Sequence, residues 1–410
     1  MIQKHATFTI LLLNFLLLCV TYVTANTVPV QIAVYGIVGV LYVLAPKTWI
    51  RDKQLKAVYI GWIVLALWWL ARIVIDLGVD IAPQRLYGSD LSLYVFFLCI
   101  ILIPAIFMPN LDFSNLRLRR LMIILLVVIG ICLISSMYTN MSQGVDIRNP
   151  HHMGRFEANQ ELSFLGYALL GVIIFSIAVT LLHDYKELYQ RLLLLGVIAV
   201  ALITITLSGT RSATVAVAVI VILYSVATRR YAIMACAAVV IFCFFFFEDG
   251  IRQFFLGFDS HVVDRFYDSI NSDGDISSGR NFLWSIAWED IMQHPILGST
   301  AFFHHVSQPY VHNSFLEVFR AIGIFGAALF VVLNAYTVYM GYKLIRMRSD
   351  FMFFPMVFVG YLVCSMFSET LLRLPMYWLM AFATLAVYNY EKNRLPEGDQ
   401  PAAGDDVEKT

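Results

Sequence analysis

The chain has 410 residues, of which 60% are hydrophobic and 14% charged, and its net charge is zero. Soluble domains lie nearer about 45–50% apolar and about 25% charged, and a water-soluble fold cannot hide the excess, so lipid is the solvent for much of this surface. The charge balance gives no case for nucleic acid as a partner. The six cysteines (Cys19, Cys99, Cys132, Cys236, Cys243, Cys364) all fall in apolar runs and read as small buried hydrophobes, not disulfides or metal ligands.

Taken in order, the apolar runs predict twelve membrane-spanning helices, near 7–25, 28–45, 57–76, 91–108, 121–138, 162–182, 192–207, 212–228, 231–247, 319–342, 351–367 and 374–390. The runs are unbroken and lack period-2 alternation, which excludes a β-barrel, so the expected fold class is an all-α integral membrane protein. With the N-terminus inside, all eight lysines fall in inside segments, and the basic residues of the outside segments are all arginines. A second reading of residues 1–25 is a signal peptide cleaved after Val23-Thr24-Ala25; the side on which the long loop lies is the same either way. The polar tail 391–410 is expected to be disordered in the cytoplasm.

The first spans carry little evident chemistry. Arg72 reads as a side chain snorkelling to an interface, and Arg320 lies in or at the edge of a span. The outside segment 139–161 gathers Arg148, His151, His152, Arg155, Glu157 and Glu161. Adjacent histidines do not share a helix face, so a polar cluster at a cavity mouth is preferred to a metal site. In Leu207–Thr214, Gly209 suits a tight turn and Arg211 opens the eighth span. Two readings stay open there, a phosphate site at a helix N-terminus or a capped helix start with one interfacial arginine.

The long polar excursion runs from Glu248 to His312. Residues 279–293 predict an amphipathic helix with a wide apolar face (Phe282, Leu283, Trp284, Ile286, Trp288, Ile291, Met292), capped by Ser278 and ended by Pro295, lying at a membrane surface. Arg280 sits in its first turn. His312-Asn313 begins the next helix, and Gly323 and Gly326 let a neighbouring backbone come close. Past the eleventh span, Ser368–Pro375 is a short outside turn with Glu369 and Arg373. Arginines at one face match a pyrophosphate, which guanidinium grips with two parallel bonds. A histidine beside them supplies a base.

The Leu207–Thr214 turn, the Ser278-Gly279-Arg280…Trp284…Pro295…Gly298 stretch and His312-Asn313 followed after nine residues by Gly323-x-x-Gly326 resemble the O-antigen ligase family. That family also covers polysaccharide polymerases of the Wzy type and O-linked oligosaccharyltransferases. Ala327 departs from the Gly, Thr or Tyr frequent at that place in the ligases. The resemblance divides the chain into N-terminal helices (1–144), an O-antigen ligase-like domain (145–390) that includes a periplasmic loop (248–313), and the tail. It implies the helical architecture of C-type glycosyltransferases in the bacterial inner membrane. It also implies a glycan donor on undecaprenyl pyrophosphate, a lipid A–core or glycan acceptor, and no metal or cofactor. Carried over by position, His312 and Arg280 are catalytic, while Arg211, Arg155, Asn313, Arg148 and Arg373 bind substrate. The reading from another class is a twelve-span transporter. Against it, no repeat relates the halves and no broken span with a midplane charge is expected.

Overall fold

The computed structural model describes residues 2–23, 28–45, 50, 52–78, 94, 97–114, 116–143, 164–257, 263, 267, 280–303 and 310–394. Among them regular structure is helical and no strand forms. The helices are α1 (Ile2–Val23), α2 (Val28–Leu44), α3 (Lys53–Gly78), a π-helical turn (Phe97–Leu102) leading into the short α4 (Ile103–Phe107), α5 (Leu118–Gln143), α6 (Phe164–Asp184), α7 (Leu188–Leu207), α8 (Arg211–Thr228), α9 (Tyr231–Phe246), α10 (Glu248–Leu256), α11 (Arg280–Gln293), α12 (Ser314–Arg346), α13 (Phe353–Ser365) and α14 (Pro375–Arg394). Helices stand at all twelve positions where the sequence predicts a span. Six of them (α3, α5, α6, α7, α8 and α12) are long and apolar enough to cross a membrane, whereas the apolar stretches in α1, α2, Phe97–Asn110, α9 and α13 are shorter.

The bundle is built around α6. Of its apolar window 83% is buried, against 28% for α7, so α6 is a central strut and α7 turns most of its surface outward. α6 packs on α5, α7 and α13, while α12 touches α3, α8, α11, α13 and α14. An aromatic group joins α3 to α14, with Trp62 and Trp378 edge to face at 5.7 Å and Trp62 and Phe382 at 6.0 Å. Cys132 and Cys364 are buried as expected, but Cys236 is exposed, because α9 lies at the periphery. The side chain of Cys19 is outside the described residues.

The polar groups sort to two ends. Asp52 caps the start of α3 and receives the Lys392 ammonium of α14 at 2.6 Å, and Arg119 donates to the Tyr185 hydroxyl at 3.1 Å. These are the segments assigned to the inside. Arg211, Arg280 and His312 gather at the other end.

One feature overturns an expectation. α12 is broken: Ile322 (φ −130°, ψ 17°) and Gly323 (φ 71°, ψ −171°) leave the helical region, close to Arg320. The groups freed by the break are taken up by the backbone of Pro295–Ser299. The Ser299 N–H donates to the Arg320 carbonyl at 2.7 Å, and the Ile324 N–H donates to the Pro295 carbonyl at 2.9 Å. A Cβ on Gly323 would stand 2.0 Å from the Ile296 carbonyl oxygen, and one on Gly298 (φ 79°) 2.4 Å from that of Ala321. Gly323 thus admits a neighbouring backbone, as expected, whereas Gly326 lies under the Ile322 side chain of its own helix. In an apolar run a glycine reads as a packing residue; the partner that makes this one a break comes from a distant loop.

Gly323→Ala adds a strained φ, on the order of 1–3 kcal/mol, and a backbone clash. Thermal unfolding of the purified protein is expected to show a clearly lowered midpoint. Gly196→Ala, whose Cβ meets nothing within 4 Å, is expected to leave it unchanged or slightly raised.

Candidate functional site

The site is assembled from three helix starts and one loop. α8 begins at Arg211 after a turn in which Gly209 has φ 62°. The cap there is not Thr210, whose side chain makes no capping bond; the Ser208 hydroxyl accepts the Thr210 N–H at 3.2 Å. That bond closes the turn between α7 and α8 and supplies no side-chain cap to α8, so the capped-start reading is not met here.

α11 begins at Arg280. Its apolar face is divided: Leu283, Ala287 and Ile291, one turn apart, face α12 and the segment before it. Phe282, Trp288 and Met292 are exposed, so the helix has one face on the protein and another turned outward. Trp284 donates its indole N–H to the Val311 carbonyl at 3.2 Å, which fixes the chain just before His312. The Ser278 cap lies outside the described residues.

α12 begins at Ser314, with Asn313 as N-cap accepting the Leu316 N–H at 3.1 Å. His312, immediately before it, has φ 58°, a strained value for a side chain of this size. Its ring packs edge-on to Tyr310 with centroids 4.4 Å apart. Nδ1 is 3.0 Å from the Ser368 carbonyl oxygen. A carbonyl only accepts, so Nδ1 carries the hydrogen, and in the neutral ring Nε2 keeps its lone pair. Ser368 also meets Ser212, next to Arg211, with hydroxyl oxygens 2.6 Å apart. One loop residue thus ties the start of α8 to the start of α12.

Electrostatics confirm the grouping. Burial and then the Arg211 charge hold Arg280 below the usual arginine value, while Tyr310 pulls the other way. Burial holds His312 below its ordinary 6.5; the Ser368 carbonyl opposes this, and the Arg280 charge adds to it. Arg211, Arg280, Tyr310, His312 and Ser368 therefore form one cluster. Of the remaining predicted site residues, only the Asn313 side chain is among the described ones. Arg148, Arg155, His151 and His152 lie outside the described residues, as does the side chain of Arg373; its backbone closes a 3-10 turn, Leu371–Arg373. Asn313 is engaged as a cap.

Sequence reasoning missed a buried charged network beneath this cluster. Arg320, 1% exposed, donates to the Thr300 hydroxyl (3.3 Å) and to the carbonyls of Phe302 (3.1 Å) and Ala301 (3.3 Å). It also pairs with Asp290 of α11 at 3.7 Å. Asp76 of α3 accepts the Ala301 N–H and pairs with Arg72 at 3.2 Å, so Arg72 is an ion-pair partner and not a snorkelling side chain. Glu317 accepts from Thr370 and Leu371. The available signal was Arg72 and Asp76 at i, i+4 inside an apolar run. Among the described residues no three His, Cys, Asp or Glu are grouped to hold a metal. The loop does contain one Asp-x-Asp pair, Asp273 and Asp275, which corrects the expectation that the chain has none; the pair lies outside the described residues.

Arg320→Met leaves Asp290 and three oxygens without their cation, a loss of about 3–5 kcal/mol. The expected result is a lowered unfolding midpoint and new protease cleavage between residues 294 and 311, read by limited proteolysis and peptide mass.

Residues 194–331 match the O-antigen ligase family. The matched stretch runs from within α7 to the middle of α12 and includes Arg211, Arg280, His312 and the Gly323 break; Ser368 and Glu369 lie beyond it. No curated protein and no solved structure matches the chain.

Proposed function

We propose that this chain, a multi-pass helical membrane protein and a member of the O-antigen ligase family through residues 194–331, moves a polysaccharide from undecaprenyl pyrophosphate to the lipid A–core of lipopolysaccharide. In this reading it crosses the bacterial inner membrane twelve times with both ends in the cytoplasm, and the 248–313 loop and the arginine–histidine cluster face the periplasm. The observation that carries the reading is His312, fixed by Ser368 with Nε2 as acceptor, beside paired arginines.

The proposed reaction follows from that arrangement. His312 Nε2 takes the proton of an acceptor hydroxyl as its oxygen bonds to the anomeric carbon. The bond from that carbon to the undecaprenyl pyrophosphate oxygen breaks, and the electron pair leaves with the pyrophosphate. Arg211 and Arg280 stabilise the charge that builds there in a site poor in water. Arg148, Arg155 and Arg373 contribute further donors to the glycan pyrophosphate, and Asn313 adds to substrate binding beside its capping bond. A polymerase of the same fold, joining undecaprenyl-linked repeat units, shares donor and leaving group; the Ala327 departure points toward it.

Deletion of the gene, followed by gel analysis of lipopolysaccharide and the undecaprenyl-linked pool, tests the reading. Bare lipid A–core with long polymer on undecaprenyl pyrophosphate identifies the ligase. Single repeat units on the core identify the polymerase, and unchanged pools overturn both. With purified protein, His312→Ala is expected to lower turnover by about 10²–10⁴-fold while the protein stays folded. Arg280→Lys is expected to weaken donor binding and rate, since the bidentate fork is lost.

The base works as neutral imidazole, so turnover falls with acid only as His312 protonates. Because its folded value is depressed, the acid limb of kcat/KM is expected below the ordinary histidine 6.5. A limb at or above that value assigns the base elsewhere. Chelation by EDTA is expected to leave transfer unchanged. Loss of activity restored by a divalent cation would instead direct attention to Asp273 and Asp275.

A further inference from the structure

We infer that Glu317 is a positioning residue for His312, holding through Thr370 the loop whose Ser368 carbonyl fixes the imidazole. The inference rests on the proposed role of His312 as base.

Glu317 lies one turn into α12, 3% exposed. Its hydrogen-bond partners are a hydroxyl and a peptide N–H, with the Arg320 charge acting on it from the same helix and the Glu369 carboxylate from the loop: Thr370 donates to one carboxylate oxygen, and the Leu371 N–H donates to the other at 3.3 Å. The Thr370 hydroxyl in turn accepts the Leu372 N–H at 3.2 Å, and the Trp378 indole donates to the Leu371 carbonyl at 3.0 Å. Residues 370–372 are thereby clamped to α12 and α14. Two residues upstream, Ser368 presents its carbonyl to His312 and its hydroxyl to Ser212.

The geometry is a closed brace. His312 and Glu317 leave the same helix start, and the short loop from Ser368 to Leu371 spans them. Asn313 sets the helix start itself, accepting the Leu316 N–H with its side chain and the Glu317 N–H with its carbonyl at 2.9 Å. A buried carboxylate held by neutral donors is a poor device for stability, since an apolar side chain avoids its desolvation cost. What it supplies is placement. It accepts at both oxygens, so it fixes the loop in translation and rotation, and with it the carbonyl that selects the His312 tautomer. The charged and titratable groups facing His312 are Arg280 from α11 and Tyr310 before α12. Arg211 from α8 stands next to Arg280, and Glu369 follows Ser368 in the loop.

The test uses the full chain, purified, with Glu317→Ala, Glu317→Gln and Thr370→Val. Two readouts are taken: kcat and KM across pH, and the pH midpoint of His312 carbethoxylation by diethyl pyrocarbonate, read by peptide mass. Glu317→Ala is expected to lower kcat on the order of 10²-fold, as a misplaced reacting group does, with donor KM little changed. The Ser368 bond raises the His312 pKa, so its loss moves the acid limb and the carbethoxylation midpoint to lower pH together. Glu317→Gln, which keeps one acceptor oxygen but sets a donor NH2 against the second N–H or O–H, is expected to fall between wild type and Glu317→Ala in kcat and midpoint. Thr370→Val is expected to reproduce part of the alanine effect, and it carries the test if Glu317→Ala does not fold. A wild-type midpoint in Glu317→Ala or Thr370→Val, with activity falling only as folded protein falls, overturns the inference. If the wild-type chain transfers no glycan, the proposed function fails, and the midpoints still decide whether Glu317 sets the histidine.

Discussion

The arrangement depends on a backbone seam. α12 is broken at Ile322–Gly323, and each backbone group freed in an apolar setting costs several kcal/mol unless it finds a partner. Pro295–Ser299 supplies the partners, and only glycine at 298 and 323 lets the two chains come that close. The end of α11 is therefore locked to the middle of α12. With Leu283, Ala287 and Ile291 laid on the protein, the direction of α11 is set. That direction carries Arg280, at its far end, toward Arg211 and His312.

The buried charges beneath the seam do a related job. Segment 299–303 is irregular backbone in the body of the bundle, a place where N–H and C=O groups need protein partners. Asp76 takes the Ala301 N–H, while Arg320 serves the carbonyls of Ala301 and Phe302 and the Thr300 hydroxyl. A buried cation and a buried anion thus hold opposite polar faces of one peptide segment. Such groups add little net stability, because their desolvation offsets most of the attraction. They do exclude other placements of the segment, since any shift leaves a charge unsatisfied.

The sequence made the helices legible, because long apolar runs have one solution in lipid. It also exposed the short signatures: Arg211 at a helix start, Arg280 in the first turn of α11, His312 before α12. Their meeting in one cluster follows from the fold; the sequence placed them only at one membrane face, as the topology and the family resemblance both led one to expect. The break in α12 was not legible, since Gly323 in an apolar run looks the same whether it packs a helix or interrupts one. Ser368 was equally hidden, because its contribution is a main-chain carbonyl that no side-chain pattern encodes. For Asp76 the sequence shows only its i, i+4 spacing to Arg72, and for Glu317 it shows no pattern at all; the segments 299–303 and 370–371 that fold onto them come from elsewhere in the chain. The wide apolar face of α11 was legible, but not its division into a stripe laid on the protein (Leu283, Ala287, Ile291) and groups turned outward (Phe282, Trp288, Met292), which periodicity does not encode.

The charge field of the cluster links the two halves of the proposed chemistry. Arg211 and Arg280 act on each other across a partly dewatered space, and Arg280 acts on His312. Without an anion this field disfavours a further positive charge, so the imidazole stays neutral and Nε2 keeps its lone pair. A bound pyrophosphate offsets the arginine charge, and the same imidazole then becomes a stronger base. As the glycosyl bond breaks, the growing negative charge on the leaving group lowers the cost of protonating His312 still further. Lysines would serve this poorly, because an ammonium in such a place sheds its proton and removes the field, whereas guanidinium keeps it. The absence of lysine from the segments assigned outside thus has a chemical reason beyond topology: the site needs a cation that survives burial next to another cation.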